Sequence, residues 1–214
     1  MRRIFLFDKF DTWHDWRLTL TAKDTTDPEP KTNYVNLDGM SGSLDLSEAL
    51  TGEVSYGDRT VTASFWSSEG TYQDRETVVK QVKAVLHGKK VKIVEPDDPD
   101  HYFLGRCMVR NLTRSQVYVS FDIEAVCEPW RYALEETRRR VDAGVSAVIW
   151  NNGVKTLCPE IEVEGSVTLE YEGASVKLTG GRYQIADIKL RQGSNVVGVS
   201  GSGFVTFIYR EATL

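Results

Sequence analysis

Three cysteines and three histidines in 214 residues leave little material for a metal centre or a disulfide framework. Cys107, Cys127 and Cys158 are an odd, sparse set without CxxC spacing, which fits reduced thiols buried in strands. His14, His87 and His101 share no ligand spacing and HExxH is absent, so the common zinc signatures are excluded. GxSxG is missing, and no cysteine shows an electropositive neighbourhood that would mark a nucleophile. No stretch reaches the ~20 apolar residues of a membrane-spanning helix. The opening MRRIFLFDKFD starts basic, but Asp8 and Lys9 interrupt its apolar run before a signal-peptide core can form. A basic excess is lacking too: the formal net charge is -5, which argues against a dedicated nucleic-acid binder. The dense basic runs, Arg138 to Arg140 and GKKVK from Gly88 to Lys92, read as solvated strand or turn.

What is present is the composition of a folded protein, 41% hydrophobic and 27% charged, in a chain long enough for two small domains. RRIFLFD is a first strand candidate, and DWRLTLTAKD alternates Trp16, Leu18 and Leu20 against polar residues with the period of a half-buried strand. TTDPEPKTNY, with two prolines, reads as an exposed connection. RTVTASFWS is a strand by composition and by period, with Val61, Ala63 and Phe65 on one face. Val78, Val79, Val82, Val85 and Leu86 recur at helical spacing, with Asp74 as N-cap and Gly88 as stop. Strand-like runs follow to Pro129. YALEETRRRVDAG fits a short helix or the lead into a strand. From Val145 onward, short alternating runs broken by glycine indicate a β-sandwich or jelly roll.

Each residue group that could carry chemistry has a plainer reading. Glu95, Asp97, Asp98, Asp100 and His101 in EPDDPDHY are hard-cation donors, but two prolines fix the backbone and the EF-hand glycine and terminal glutamate are missing. Glu160, Glu162 and Glu164 point to one side of a strand as a solvated face would. NLT at Asn111 is read as turn and strand. No catalytic residue, cofactor-binding residue or metal ligand is assigned, and an enzyme is not expected.

DGMSGSLDLSEALTG, Asp38 to Gly52, holds three glycines around an apolar series and no reactive pattern. The glycines let the backbone turn, Leu44, Leu46, Ala49 and Leu50 offer apolar anchors, and Ser47 can cap one helical turn before Glu48. Packing on a neighbouring subunit and packing over the chain's own sheet both satisfy these residues. With PEPKTNYVNL before it and GEVSYGDRTVTASF after it, then the helix, HGKKVKIVEPDDPDHYFLGRC and DIEAVCEPWRY, the segment resembles the distal tail protein family of long-tailed bacteriophages and prophages. The C-terminal part, ending YREATL, is similar to the galectin-like domain that many members carry.

The resemblance implies a mainly β chain in two parts. Residues 1–133 would be a barrel- or sandwich-like ring-forming domain with one α-helix, and 134–214 a galectin-like β-sandwich. It implies a structural hub, a homohexameric ring at the virion tail tip that joins tail-tube, tape-measure and receptor-binding proteins. The chain would be made in the host cytoplasm, without cofactor or membrane, and without nucleic-acid binding beyond passage of DNA through the ring. Gly39, Gly42, Leu44, Leu46 and Leu50 are the expected subunit-interface loop. The alternative is a carbohydrate-binding module in the C-terminal sandwich. Against it, Trp150 reads as a buried strand residue, and the His, Asn, Arg and Glu signature of galectins is not found around it.

Overall fold

Alternation of apolar and polar side chains builds nearly all of this chain. The computed structural model describes residues 3–49 and 52–214 and is mainly β with one helix. Two units form, one up to Pro129 together with Leu214 and one from Trp130 to Thr213.

The first unit contains β1 (Leu6–Phe7), β2 (Phe10–Asp11), β3 (Thr19–Thr25), β4 (Tyr34–Asn36), β5 (Ser43–Asp45), β6 (Arg59–Ser67), α1 (Tyr72–Leu86), β7 (Lys90–Glu95), β8 (Asp98–Arg114) and most of β9 (Val119–Ala133). Its main sheet runs β2-β1-β7-β8-β9-β6-β3. On β6, Val61, Ala63 and Phe65 are buried while Thr60, Thr62 and Ser64 are half-buried, and β9 repeats the pattern with Phe121, Ile123 and Ala125. The helix adds Val79, Val82 and Leu86 to the same core. Its N-cap is Thr71. Asp74 is instead the third helical residue, closing a capping box in which each side chain accepts the other's backbone N–H. Residues 3–18 are less regular than their apolar content suggests. Trp16 and Leu18 are buried before β3 begins, because the chain turns at Arg17 (φ 53°) and Trp16 stacks on Phe10 at 5.4 Å.

An ion-pair staple shows that the sheet curls. Lys23 on β3, at one end of the strand order, lies 2.9 Å from both Glu95 at the end of β7 and Asp97, and Thr25 donates to Glu95 at 2.6 Å.

The second unit is one sheet built on a long central strand. It comprises β10 (Thr137–Asp142), β11 (Val145–Asn151), β12 (Glu160–Tyr171), β13 (Ala174–Gln184) and β14 (Gly193–Tyr209), with β15 (Ala212–Thr213) pairing with Arg131 and Tyr132 of β9. TRRRVD is therefore a strand. β12 pairs with one edge of β14, while β10 and β11 share the other edge, taking its second and first halves. One face is buried on either side of an exposed stretch at 200–203: Val197, Val199, Val205 and Phe207 on β14, and Ile161, Val163, Val167 and Leu169 on β12, all in a single cluster. A sheet whose two halves bury the same face in one cluster must fold onto itself, and this makes the sandwich. The bend is marked by Gly165 opposite Gly203, at φ 94° and 110°. There the strands approach so closely that a Cβ on Gly203 would lie 1.8 Å from the Glu164 carbonyl oxygen.

Candidate interaction surfaces

Between β3 and β6 the chain leaves the first core as an arm. Its base is tied by the Pro30–Tyr56 bridge and by Lys31 N–H to Ser55 O and Gly57 N–H to Glu29 O, each 2.8 Å. Beyond the base, β4 and β5 pair with each other (Val35 opposite Leu44), and among the described residues no arm side chain belongs to the core cluster. Tyr34, Leu37, Met40, Leu44 and Val54 are exposed, from 39% to 59%. Five large apolar side chains left in water on one short segment are the unusual observation here, since singly scattered ones would mean nothing. The same segment, residues 31–54, carries Asp38, Asp45, Glu48 and Glu53 against Lys31.

Gly39 and Gly42 both sit at φ 84° in the β4–β5 connection, where no other side chain is comfortable. Leu44 is exposed on β5 and Leu46 half-buried; Leu50 lies outside the described residues. Ser47 does not cap a helix. Its hydroxyl accepts the Asn33 N–H at 2.8 Å and donates to Asp45, whose carboxylate also accepts the Ser47 N–H at 2.9 Å. These bonds hold the Asp45 carboxyl below its usual range. A turn replaces the expected helical turn because the aspartate two residues back captures the amide.

A second feature of the first unit is a groove of about 380 Å³ lined by Phe10, Trp16, Ala84, Val85, Gln81 and Asp15. Two lysines touch its lining residues: Lys9 Nζ stands 5.4 Å over the Phe10 ring, and Lys89 Nζ donates to Ala84 O at 2.7 Å. The groove itself is mostly apolar, with Asp15 as its one charged lining residue.

The acidic stretch after β7 is engaged internally. Glu95 and Asp97 hold Lys23, Asp97 also holds Arg3, and His101 pairs with Asp98 at 2.8 Å. No cluster of three His, Cys, Asp or Glu that could hold a metal occurs among the described residues. Burial pushes the Cys107 and Cys127 thiols up to about 12, so neither is a nucleophile at neutral pH. Cys158 departs from the expected burial: it is exposed between β11 and β12, its thiol 3.3 Å from Ile185 O. Arg182 bridges Glu160 and Glu162 at 3.0 and 3.3 Å on an open face. Asn111, at φ 50°, donates to Asp122 at 2.6 Å.

Trp150 also departs from expectation. It is 58% exposed, because β11 buries Ile149 and Asn151 and turns Val148 and Trp150 outward. The sequence VSAVIWN has apolar residues on both faces of the strand, so its period could not say which face is covered. Beside β11 runs a cleft of about 690 Å³ that also reaches Arg139, Asn152, Tyr209 and Glu211.

No family model matches the sequence, and no curated protein matches it with significant similarity. The fold does have relatives. The crystal structure of the Dit protein of phage SPP1, described as a paradigm of the hub adsorption apparatus in phages infecting Gram-positive bacteria, superposes with a TM-score of 0.72 at 14% identity, covering 98% of this chain and 99% of that one. A chain of the phage p2 baseplate, in its activated conformation with Sr, matches with a TM-score of 0.50 at 7% identity, covering 98% of each. The fold of nearly the whole chain thus matches a phage hub protein and a chain of a phage baseplate.

Proposed function

We propose that this chain is a structural hub of a long-tailed phage tail tip, which self-associates through its first unit into a closed ring, of six copies as in the family the sequence resembles. The observation that carries the reading is the full-length likeness to the SPP1 hub protein, since a shared two-unit architecture over 98% of the chain is harder to reach by chance than one common sandwich. The arm and groove supply what a ring requires. A cyclic assembly joins two different patches head to tail, and an apolar projection and a mostly apolar groove on one unit are such a pair. In the virion the ring would sit between tail tube and adsorption proteins, with no chemistry of its own.

A lectin role for the second unit has one observation in its favour, the exposed Trp150 ring. The surroundings weigh against it. Val148 and Val196 are exposed beside Trp150, Ser194 is its cross-strand partner, and the nearby amide and carboxylate, Asn152 and Glu211, are bonded to each other at 3.0 Å. Few groups remain free to read sugar hydroxyls.

Mixed with the tail-tube protein of its phage and imaged in negative stain, the chain is expected to appear as a ring capping one end of the tubes. Tubes that stay bare at saturating chain would contradict the proposal.

A further inference from the structure

The free edge of β11 is unguarded. Among the described residues β11 pairs with β14 on one side only, and its register there is continuous from Val145 opposite Val199 to Asn151 opposite Gly193, without a bulge. Edge strands are normally protected by charge, proline, a bulge or shortness. The other edges of this sheet follow the rule: β10 carries Arg138, Arg139 and Arg140, and β13 carries Lys177, Arg182 and the Gly180–Gly181 pair. VSAVIWN has none of these, and at ~3.3 Å per residue its seven residues span roughly 23 Å.

The cleft beside it is shaped to that edge. Val145, Ser146, Ala147, Val148 and Trp150 all line it. Consecutive residues point to opposite faces of a strand, so a cleft that touches both kinds lies along the edge and not over a face. Arg139 and Tyr209 complete the wall. Of the three consecutive arginines, Arg138 pairs with Glu136 and Arg140 with Asp142, whereas Arg139 has no ion-pair partner among the described residues. The Tyr209 hydroxyl donates to Trp150 O at 2.6 Å, closing one end of the slot and leaving the backbone from Val145 to Ile149 for pairing.

We propose that the β11 edge is a strand-addition site, which takes an extended segment of a partner protein into the cleft as a further strand. The partner segment alternates apolar and polar residues and places one carboxylate against Arg139. Main-chain bonds to β11 provide the attachment, while Val148 and Trp150 on the outer face and Arg139 in the cleft set the register. A second copy of this chain is the poorer occupant, because two-fold pairing of β11 with itself would bring two unpaired Arg139 charges together. The site lies within the second unit and holds whether or not the chain forms a ring.

The test uses the full-length chain and a displayed library of random twelve-residue peptides. Enriched peptides are expected to alternate apolar and polar residues around an Asp or Glu, and to slow amide exchange at residues 145–149. N-methylation walked along the best peptide should weaken binding tenfold or more at every second residue, the mark of a ladder bonded on one edge. Arg139→Glu should cost at least tenfold and Val148→Lys several-fold, with the melting temperature of each variant unchanged. Failure to enrich any peptide would overturn the proposal, as would enriched peptides that lack the period-two pattern or protect other amides. So would dimerisation of the chain through β11, or saturable binding of oligosaccharides there in place of peptides.

Discussion

The bend in the second unit makes Gly203 its most sensitive position. In Gly203→Ala the new Cβ would stand 1.8 Å from Glu164 O, 2.8 Å from Glu164 C and 3.0 Å from Gly165 Cα, all backbone atoms of the paired strand. Since ordinary contact begins near 3.4 Å, the strands must part by the difference from 1.8 Å, which is 1.6 Å. Such an opening is a third of the ~4.8 Å strand spacing and disrupts the neighbouring ladder bonds, each worth about 0.5–1.5 kcal/mol. Holding alanine at φ 110° adds about 1–3 kcal/mol. The total is roughly 4 kcal/mol, much of what a domain of this size has to lose. Gly193→Ala is the control. It shares a positive φ, 91°, but its Cβ would meet nothing within 4 Å, so only the backbone strain remains. In urea, with a slope near ~2 kcal/mol/M, the second unit's midpoint should fall by about 2 M or more in Gly203→Ala and by about 0.5–1.5 M in Gly193→Ala. Equal shifts would show that close approach at the bend contributes nothing beyond strain.

Lys23→Met should destabilise the first unit by roughly 3 kcal/mol at neutral pH, because it strands Glu95, whose side chain is 9% exposed, with only Thr25 as donor. Burial disfavours the Lys23 charge, but its bonds to Asp97 and Glu95 outweigh this and raise its pKa; Lys23 and Arg3 in turn lower that of Asp97. The lysine contribution is present below the ordinary lysine value and lost as pH rises through the raised one. That of Asp97 is present above the ordinary carboxylate value and lost as pH falls through the lowered one. The gap between wild type and variant in urea titrations should thus be widest from about pH 5 to 10 and close at both extremes; a gap independent of pH would discredit the staple. On the arm, Leu37→Asp with Leu44→Asp should weaken self-association at least tenfold in sedimentation while leaving the melting temperature within a degree or two, and unchanged association would exclude the arm from the interface. Expressed alone, residues 130–214 should fold as a soluble sandwich and 134–214 less stably by thermal melt, because the shorter piece lacks the Arg131 and Tyr132 partners of β15; equal stability would deny that pairing a role.

Much of this architecture is legible in the residues, and the exceptions share a cause. β6 and α1 stand where period and composition put them, because one face of each meets a single continuous core. The cap moved from Asp74 to Thr71 because the capping box links both, and spacing alone does not say which residue of the pair leads. Trp150 is exposed against expectation because burial on β11 depends on what covers the strand, a tertiary fact absent from VSAVIWN. Cys158 fell outside the strands. The arm could be located by its glycines and leucines, but its exposure could not, since an apolar residue awaiting a partner has the same side chain as one packed at home. The bend is hidden in a different way: Gly165 and Gly203 are 38 residues apart in sequence, and only pairing brings them together.

Self-association is the claim on which the account rests, and native mass measured over a wide range of chain concentration addresses it most directly. The account predicts a closed species of about 145 kDa, six times the 24.1 kDa chain. A mass of one chain at every concentration, and still one chain with the tail-tube protein added, would contradict it.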